Sequence, residues 1–294
     1  MTLLAAVRAL PFTIAASALC ALPAMPAQAG EDVQVVRPIS AWAVDWRPEY
    51  CVVNAMFGSQ EQPLYFQMSQ YGPGHLYEFA LTGKVLRPFV SAEQVAFSFG
   101  KHGKARPAAI QRADSELYGE GMIFSAVLGA PSADESRVQP FADDELATDI
   151  DRIVVQRGSH RLIVGTGPLA GIVSAMRKCA DDLVTTWGLD PKAQATLSRP
   201  ATAVDIRGLV RTLKASYPRS LSYKGKQARL NVHARIDASG AVTHCSVPES
   251  YNDPKFDELA CRNLRGYAFE PALDAQGNPV ASYWNTTIIY TLRP

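Results

Sequence analysis

The chain has almost no net charge: 29 Lys and Arg stand against 28 Asp and Glu in 294 residues, a formal +1. Long-range attraction to nucleic acid or to an anionic membrane needs an excess of cations, so this balance argues against nucleic-acid binding. A membrane-spanning run is lacking too. The longest apolar stretch, 9–23, is short and is broken by Pro11 and Pro23, whereas a spanning helix needs about 20 apolar residues. Internal repeats and low-complexity tracts are absent. Charged residues make up only 19% of the chain, but 47% are hydrophobic, which excludes a disordered polyelectrolyte and gives ample material for two domains.

Catalytic signatures are also missing. Gly165-Thr-Gly-Pro-Leu-Ala-Gly171 follows a strand pattern and opens a helix, but its spacing is wrong for a dinucleotide loop and no acidic partner follows. Ser59, Ser125 and Ser174 stand outside any nucleophile elbow. The acidic residues Asp143, Asp144, Glu145, Asp149 and Asp151, and the pair Asp181 and Asp182, read as solvated surfaces and not as a paired-carboxylate site. His233 and His244 fall on the polar side of a strand pair without a third ligand, which reads as two surface histidines and no metal. No catalytic residue, cofactor or metal is expected, and an enzyme would have to reside in the N-terminal part.

Cysteine is scarce, five in all. Cys20 falls in an N-terminal segment with one charge, Arg8, an apolar run and Ala27-Gln28-Ala29. That is the pattern of a secretory signal peptide, 1–29, cleaved after Ala29. An uncleaved inner-membrane anchor is the alternative. Removing Arg8 leaves 28 cations (29 less one) against 28 anions. Cys51, Cys179, Cys245 and Cys261 remain, an even number in an oxidising compartment. Spacing alone leaves three connectivities open. Cys51–Cys179 with Cys245–Cys261 is favoured because each pair then lies within one domain.

What is present is a succession of short strands. β-Branched and aromatic runs at 40–46, 51–57, 64–69, 76–81, 94–99, 122–128, 152–156 and 161–164 are punctuated by glycines. Together they predict an antiparallel sandwich or barrel over 30–189, ending in an amphipathic helix, 169–187. Residues 190–215 read as a linker with a short helical stretch.

The last part, 216–294, alternates strictly over Leu230, Val232, Ala234 and Ile236, turns at Asp237-Ala-Ser-Gly240, and returns as a second strand. Asp253 caps a helix opened by Pro254, with Phe256, Leu259, Ala260 and Leu264 on one face. A final strand spans 282–292. The fold class is α+β: a β-rich domain with a terminal helix, then a β-β-α-β module.

The Asp-x-x-Gly turn, the Phe256-Asp-Glu-Leu-Ala260 helix, the Phe269-Glu-Pro-Ala272 corner and the Gly277-Asn-Pro-Val280 turn come in fixed order after Tyr217-Pro218. In that order they resemble the TonB C-terminal domain. The stretches 51–58 and 178–188 are similar to domains of alphaproteobacterial exported proteins of uncharacterised function. The TonB resemblance implies a periplasmic module that grips an extended peptide, the TonB box of an outer-membrane transporter, by strand addition. By that analogy Tyr217, Pro218 and Arg219 lie near the partner. The docking edge is the last strand, with Trp284, Thr286, Ile288 and Tyr290. Self-association through edge strands is an alternative. True TonB proteins keep an anchor and a Pro-rich spanner, and this chain has a globular domain in the spanner's place.

Overall fold

Leu64, Phe66 and Met68 alternate with Tyr65, Gln67 and Ser69. In the computed structural model this stretch is a strand with the first set buried against a second sheet. The structure describes residues 32–131, 138–250 and 253–291; the expected signal peptide, 1–29, lies outside them.

Nine strands come first: β1 (Asp32–Val36), β2 (Ala43–Trp46), β3 (Cys51–Gly58), β4 (Pro63–Gln70), β5 (Leu76–Thr82), β6 (Gln94–Phe99), β7 (Arg106–Ala109), β8 (Gln111–Ser115) and β9 (Gly119–Val127). A short helix, α1 (Arg87–Val90), falls between β5 and β6. A small antiparallel pair, β10 (Gly129–Pro131) and β11 (Val138–Pro140), leads to α2 (Asp143–Thr148), β12 (Ile153–Arg157), β13 (His160–Val164) and the long helix α3 (Ala170–Thr186).

Strands β2-β3-β4-β5-β9-β8 form a six-stranded antiparallel sheet, and β1-β13-β12-β6-β7 form a five-stranded one. Among the described residues only β1 and β13 run parallel, which the long chain between them permits. The two sheets share one core, where Phe79 meets Phe99 at 6.1 Å and Phe97 meets Phe124 at 5.4 Å between ring centroids. α3 adds Val173, Met176, Leu183 and Val184 to that core, and its Cys179 is bonded to Cys51 of β3, as expected.

The segment 190–215 is folded. It holds α4 (Pro191–Ala195), β14 (Thr202–Ala203) and α5 (Ile206–Ala215), and Ala201, Ala203, Leu209 and Leu213 enter a second core. Then come α6 (Arg219–Ser222), β15 (Ala228–Ile236), β16 (Val242–Ser250), α7 (Pro254–Arg265), the short strands β17 (Phe269–Glu270), β18 (Ala272–Leu273) and β19 (Pro279–Val280), and finally β20 (Ser282–Tyr290).

The expected hairpin, helix and last strand are all present. Gly240 closes the β15–β16 turn at φ +87°, where a Cβ would lie 2.0 Å from the Phe269 carbonyl oxygen, so the turn requires glycine. The Asp253 side chain accepts from the Lys255 amide and Pro254 stands in the first turn of α7. α7 buries Phe256, Ala260, Cys261 and Leu264 over the sheet, and Cys261 is bonded to Cys245 of β16.

The other face of this small sheet is polar and covered. Arg229, Asn231, His233 and Arg235 of β15 point away from α7, and the outer face of the six-stranded sheet lies against the first of them. Arg229 Nε lies 2.5 Å from Glu78 Oε2, Arg229 Nη2 donates to Ser125 Oγ at 2.6 Å, and Asn231 Nδ2 donates to Glu78 Oε1 at 3.0 Å.

This corrects the reading of His233 as a surface residue. It is 1% exposed and its ring stacks on Trp187 with centroids 4.0 Å apart. Burial lowers its pKa to about 4, against the opposing hydrogen bond with Asn285 and the attraction of Glu49, with His244 and Arg235 lowering it further. His244 remains partly exposed near Glu49.

Candidate peptide-docking edge

β20 reads Ser-Tyr-Trp-Asn-Thr-Thr-Ile-Ile-Tyr: nine residues with no charge, rich in aromatic and β-branched side chains. Such a sequence fits a pleated strand. It pairs antiparallel with β15 along its whole length, from Ala228↔Tyr290 to Ile236↔Ser282. The sheet order is β16-β15-β20, so among the described residues β20 has one hydrogen-bonded neighbour and its outer edge is unpaired.

Two faces hold the strand in place. Toward α7, Ile288 and Tyr290 are buried, and Trp284 packs edge-on against Phe269 at 5.2 Å. Toward the N-terminal sheets, Tyr283 packs on Trp187 at 5.0 Å, Asn285 Nδ2 donates to the Tyr71 carbonyl at 2.6 Å, and Thr287 Oγ1 donates to Asn231 Oδ1 at 2.8 Å. The Gly72 turn meets this side so closely that a Cβ there would lie 2.4 Å from Asn285 Nδ2. The strand is therefore held on both faces, and its outer edge is open.

Beside that edge runs α5. Asp205 caps it by accepting from the Gly208 amide at 2.8 Å. Leu209 and Leu213 anchor the helix in the core, which leaves Ile206 (49% exposed) and Val210 (41%) unburied. A groove of about 240 Å³ separates α5 from β20, with Ile206, Val210 and Leu213 on one wall and Trp284 and Ile288 on the other. Free main-chain donors and acceptors thus lie next to an apolar trough. The arrangement suits an extended chain that pairs with β20 and drops alternate side chains toward α5.

Trp284 and Thr286 are half-buried and line the groove, while Ile288 and Tyr290 face inward and offer mainly their backbone. Tyr217 is half-buried, its ring 5.5 Å from those of Phe256 and of Tyr290 and its hydroxyl donating to the Lys226 carbonyl. Pro218 precedes α6, and Arg219 is exposed on it. Ile206 and Val210 were not picked out from the sequence; their spacing of four on a helix that also buries Leu209 and Leu213 was the available signal.

Two residues of the acidic stretch at 143–151 hold helix α2. Glu145 Oε2 accepts from the Ala142 amide at 2.7 Å and Asp143 pairs with Arg177 of α3 at 2.5 Å, so this acidic stretch caps and fastens α2. Among the described residues no group of three His, Cys, Asp or Glu is placed to hold a metal. No helix among them is long and apolar enough to cross a membrane.

Comparison with known proteins addresses the C-terminal part. No curated protein matches the chain. Among solved structures, the solution NMR structure of the Pseudomonas aeruginosa TonB CTD is 24% identical, covering 26% of this chain and 78% of that one at a TM-score of 0.24. The NMR structure of the Helicobacter pylori TonB-CTD is 16% identical over 36% of this chain and 87% of that one, also at 0.24. Residues 214–292 match the family model described as Gram-negative bacterial TonB protein C-terminal, so the resemblance read from the turn, helix and corner motifs is borne out for this segment of the chain.

Proposed function

We propose that the chain is a periplasmic, TonB-like binding or adaptor protein linked to transport across the outer membrane, whose C-terminal domain captures an extended peptide as a fourth strand beside β20. The partner in this reading is the N-terminal segment of an outer-membrane transporter. Residues 1–29 are then the cleaved signal, 30–189 a β-rich platform, 190–215 a connection and 216–294 the binding domain.

One observation carries this reading: a nine-residue edge strand without a single charge or proline has, among the described residues, one paired side and one open side. Natural sheets blunt such edges with lysine, proline, bulges or a covering element, because an open edge recruits other chains. An edge left attractive, with an apolar trough alongside, is explained by a partner that pairs there. Tyr217, Pro218 and Arg219 lie at the strand's Tyr290 end, where the partner would enter or leave.

The same edge could pair with a second copy of the chain, and the test includes that outcome. Fluorescently labelled peptides from transporter N-termini are titrated into the purified chain and into Ile288→Pro and Ile289→Pro variants. Proline removes a main-chain donor from the strand. Saturable binding to the parent that is lost in a folded proline variant supports the proposal. Binding that persists in both variants places the site elsewhere, and dimers without peptide binding favour self-association.

A further inference from the structure

Residues 206–227 carry Arg207, Arg211, Lys214, Arg219, Lys224 and Lys226 and no Asp or Glu. All six cations are exposed. Arg211 pairs with Asp205 at 3.3 Å, and the other five form no ion pair among the described residues. The near-zero net charge of the chain averages over this asymmetry.

The cations are held on a built surface. Leu221 is buried beneath α6, and its carbonyl accepts from the amides of both Lys224 and Lys226, at 3.1 and 3.0 Å. The Tyr217 hydroxyl donates to the Lys226 carbonyl and fixes the far side of the turn. Tyr223 stands at the apex, 90% exposed, between Arg219 and Lys224 in sequence. An aromatic ring this exposed, flanked by cations and set on a short ordered turn, is free to meet a partner's surface.

We infer that this α6 turn docks on an anionic phospholipid surface, with Tyr223 entering the headgroup region and Arg219, Lys224 and Lys226 neutralising lipid phosphates. A bilayer can meet an exposed aromatic ring and several exposed cations at once, whereas a peptide is complementary to the groove beside β20. Tyrosine favours the interface because one end of its ring is apolar and the other wet. Juxtaposed lysines and arginines strengthen attachment to anionic lipid cumulatively, by about five-fold for each cation near the surface.

The test is co-sedimentation of the purified full chain with phosphatidylcholine vesicles containing about 30% phosphatidylglycerol, and with pure phosphatidylcholine vesicles, at low and high salt. The parent is expected to bind the anionic vesicles more tightly and to be released by salt. A triple variant, Arg219→Gln with Lys224→Gln and Lys226→Gln, is expected to bind roughly a hundred-fold more weakly. Parent and variant share every other residue, so contributions from the rest of the chain cancel. Tyr223→Trp keeps the aromatic and reports insertion, as a blue shift with anionic vesicles in the emission it adds to that of the parent. Equal binding to both vesicle types, an unaffected triple variant or an unshifted added emission in the Tyr223→Trp variant would each overturn the inference. So would an anionic peptide competing fully at the tip in place of lipid. Peptide capture at β20, measured on the Tyr223→Trp variant, which keeps Arg219, is expected to persist and is judged separately.

Discussion

Arg229 and Glu78, 151 positions apart, face each other at 2.5 Å with side chains only 11% and 6% exposed. They join the first strand of the C-terminal sheet to the middle of the six-stranded sheet, and the contact continues through the packing of Trp187 on His233 and Tyr283. A buried pair of this kind is weak evidence of net stabilisation, but it strongly penalises losing one partner. The contact therefore favours one orientation of the binding module over all others.

Arg229→Ala strands a buried carboxylate. A loss of about 3–5 kcal/mol in chemical denaturation is expected, much of it recovered when Glu78→Gln is added. A single variant costing less than about 1 kcal/mol, the range of an exposed pair, would show that the pair is solvated and the contact loose.

His233 supplies a pH dependence. Its folded pKa of about 4 lies below the ordinary value of 6.5, so between those values the unfolded chain binds the proton first. Stability is unaffected by this group above its ordinary value and falls as the pH drops toward its folded one, by roughly 3 kcal/mol in total. Urea titrations across that window should show this slope, and His233→Gln should flatten it while costing some stability at neutral pH. An unchanged slope in the variant would assign the acid sensitivity to other groups.

The buried face containing His233 is where sequence reading went astray. Alternation along β15 correctly separated Leu230, Val232, Ala234 and Ile236 from Arg229, Asn231, His233 and Arg235. It could not show that the polar set is covered, because Gln67, Ser69 and Glu78 on the opposing sheet look equally suited to water. Two polar faces that cover each other have the same pattern as two solvated ones. The Asp237–Gly240 turn, the Asp253 cap and both disulfides were legible because each depends on local chemistry or on which strands share a core. α5 was harder to read: Pro200 and the shortness of the helix suggested a connection, and its role appears only once β20 lies beside it.

The Cys51–Cys179 bond joins residues 128 positions apart, from the first core strand bearing a cysteine to the closing helix. Chain-entropy reasoning gives about 4–5 kcal/mol for a loop of this size and about 3 kcal/mol for the 16-residue separation of Cys245–Cys261. Paired Cys→Ala variants of each bond, compared by thermal unfolding, should lower Tm in that order. Equal Tm values for the parent and the Cys51/Cys179 variant would contradict the assignment.

The groove beside β20 predicts a sequence preference in its ligand. Val210→Asp places a charge on the apolar wall without altering the strand. It should weaken peptide binding by roughly ten-fold or more while leaving the fold intact, since Val210 is exposed. Equal affinity would mean that the peptide contacts only the strand edge and that α5 does not contribute to recognition.

The most direct measurement is an NMR titration of the isotope-labelled chain with a transporter N-terminal peptide, following the main-chain amides of 282–290. The account predicts that amides on the outer side of this strand shift and gain protection from hydrogen exchange in step with binding, while those paired to β15 change little. Saturable binding that leaves every one of these amides unperturbed would contradict it.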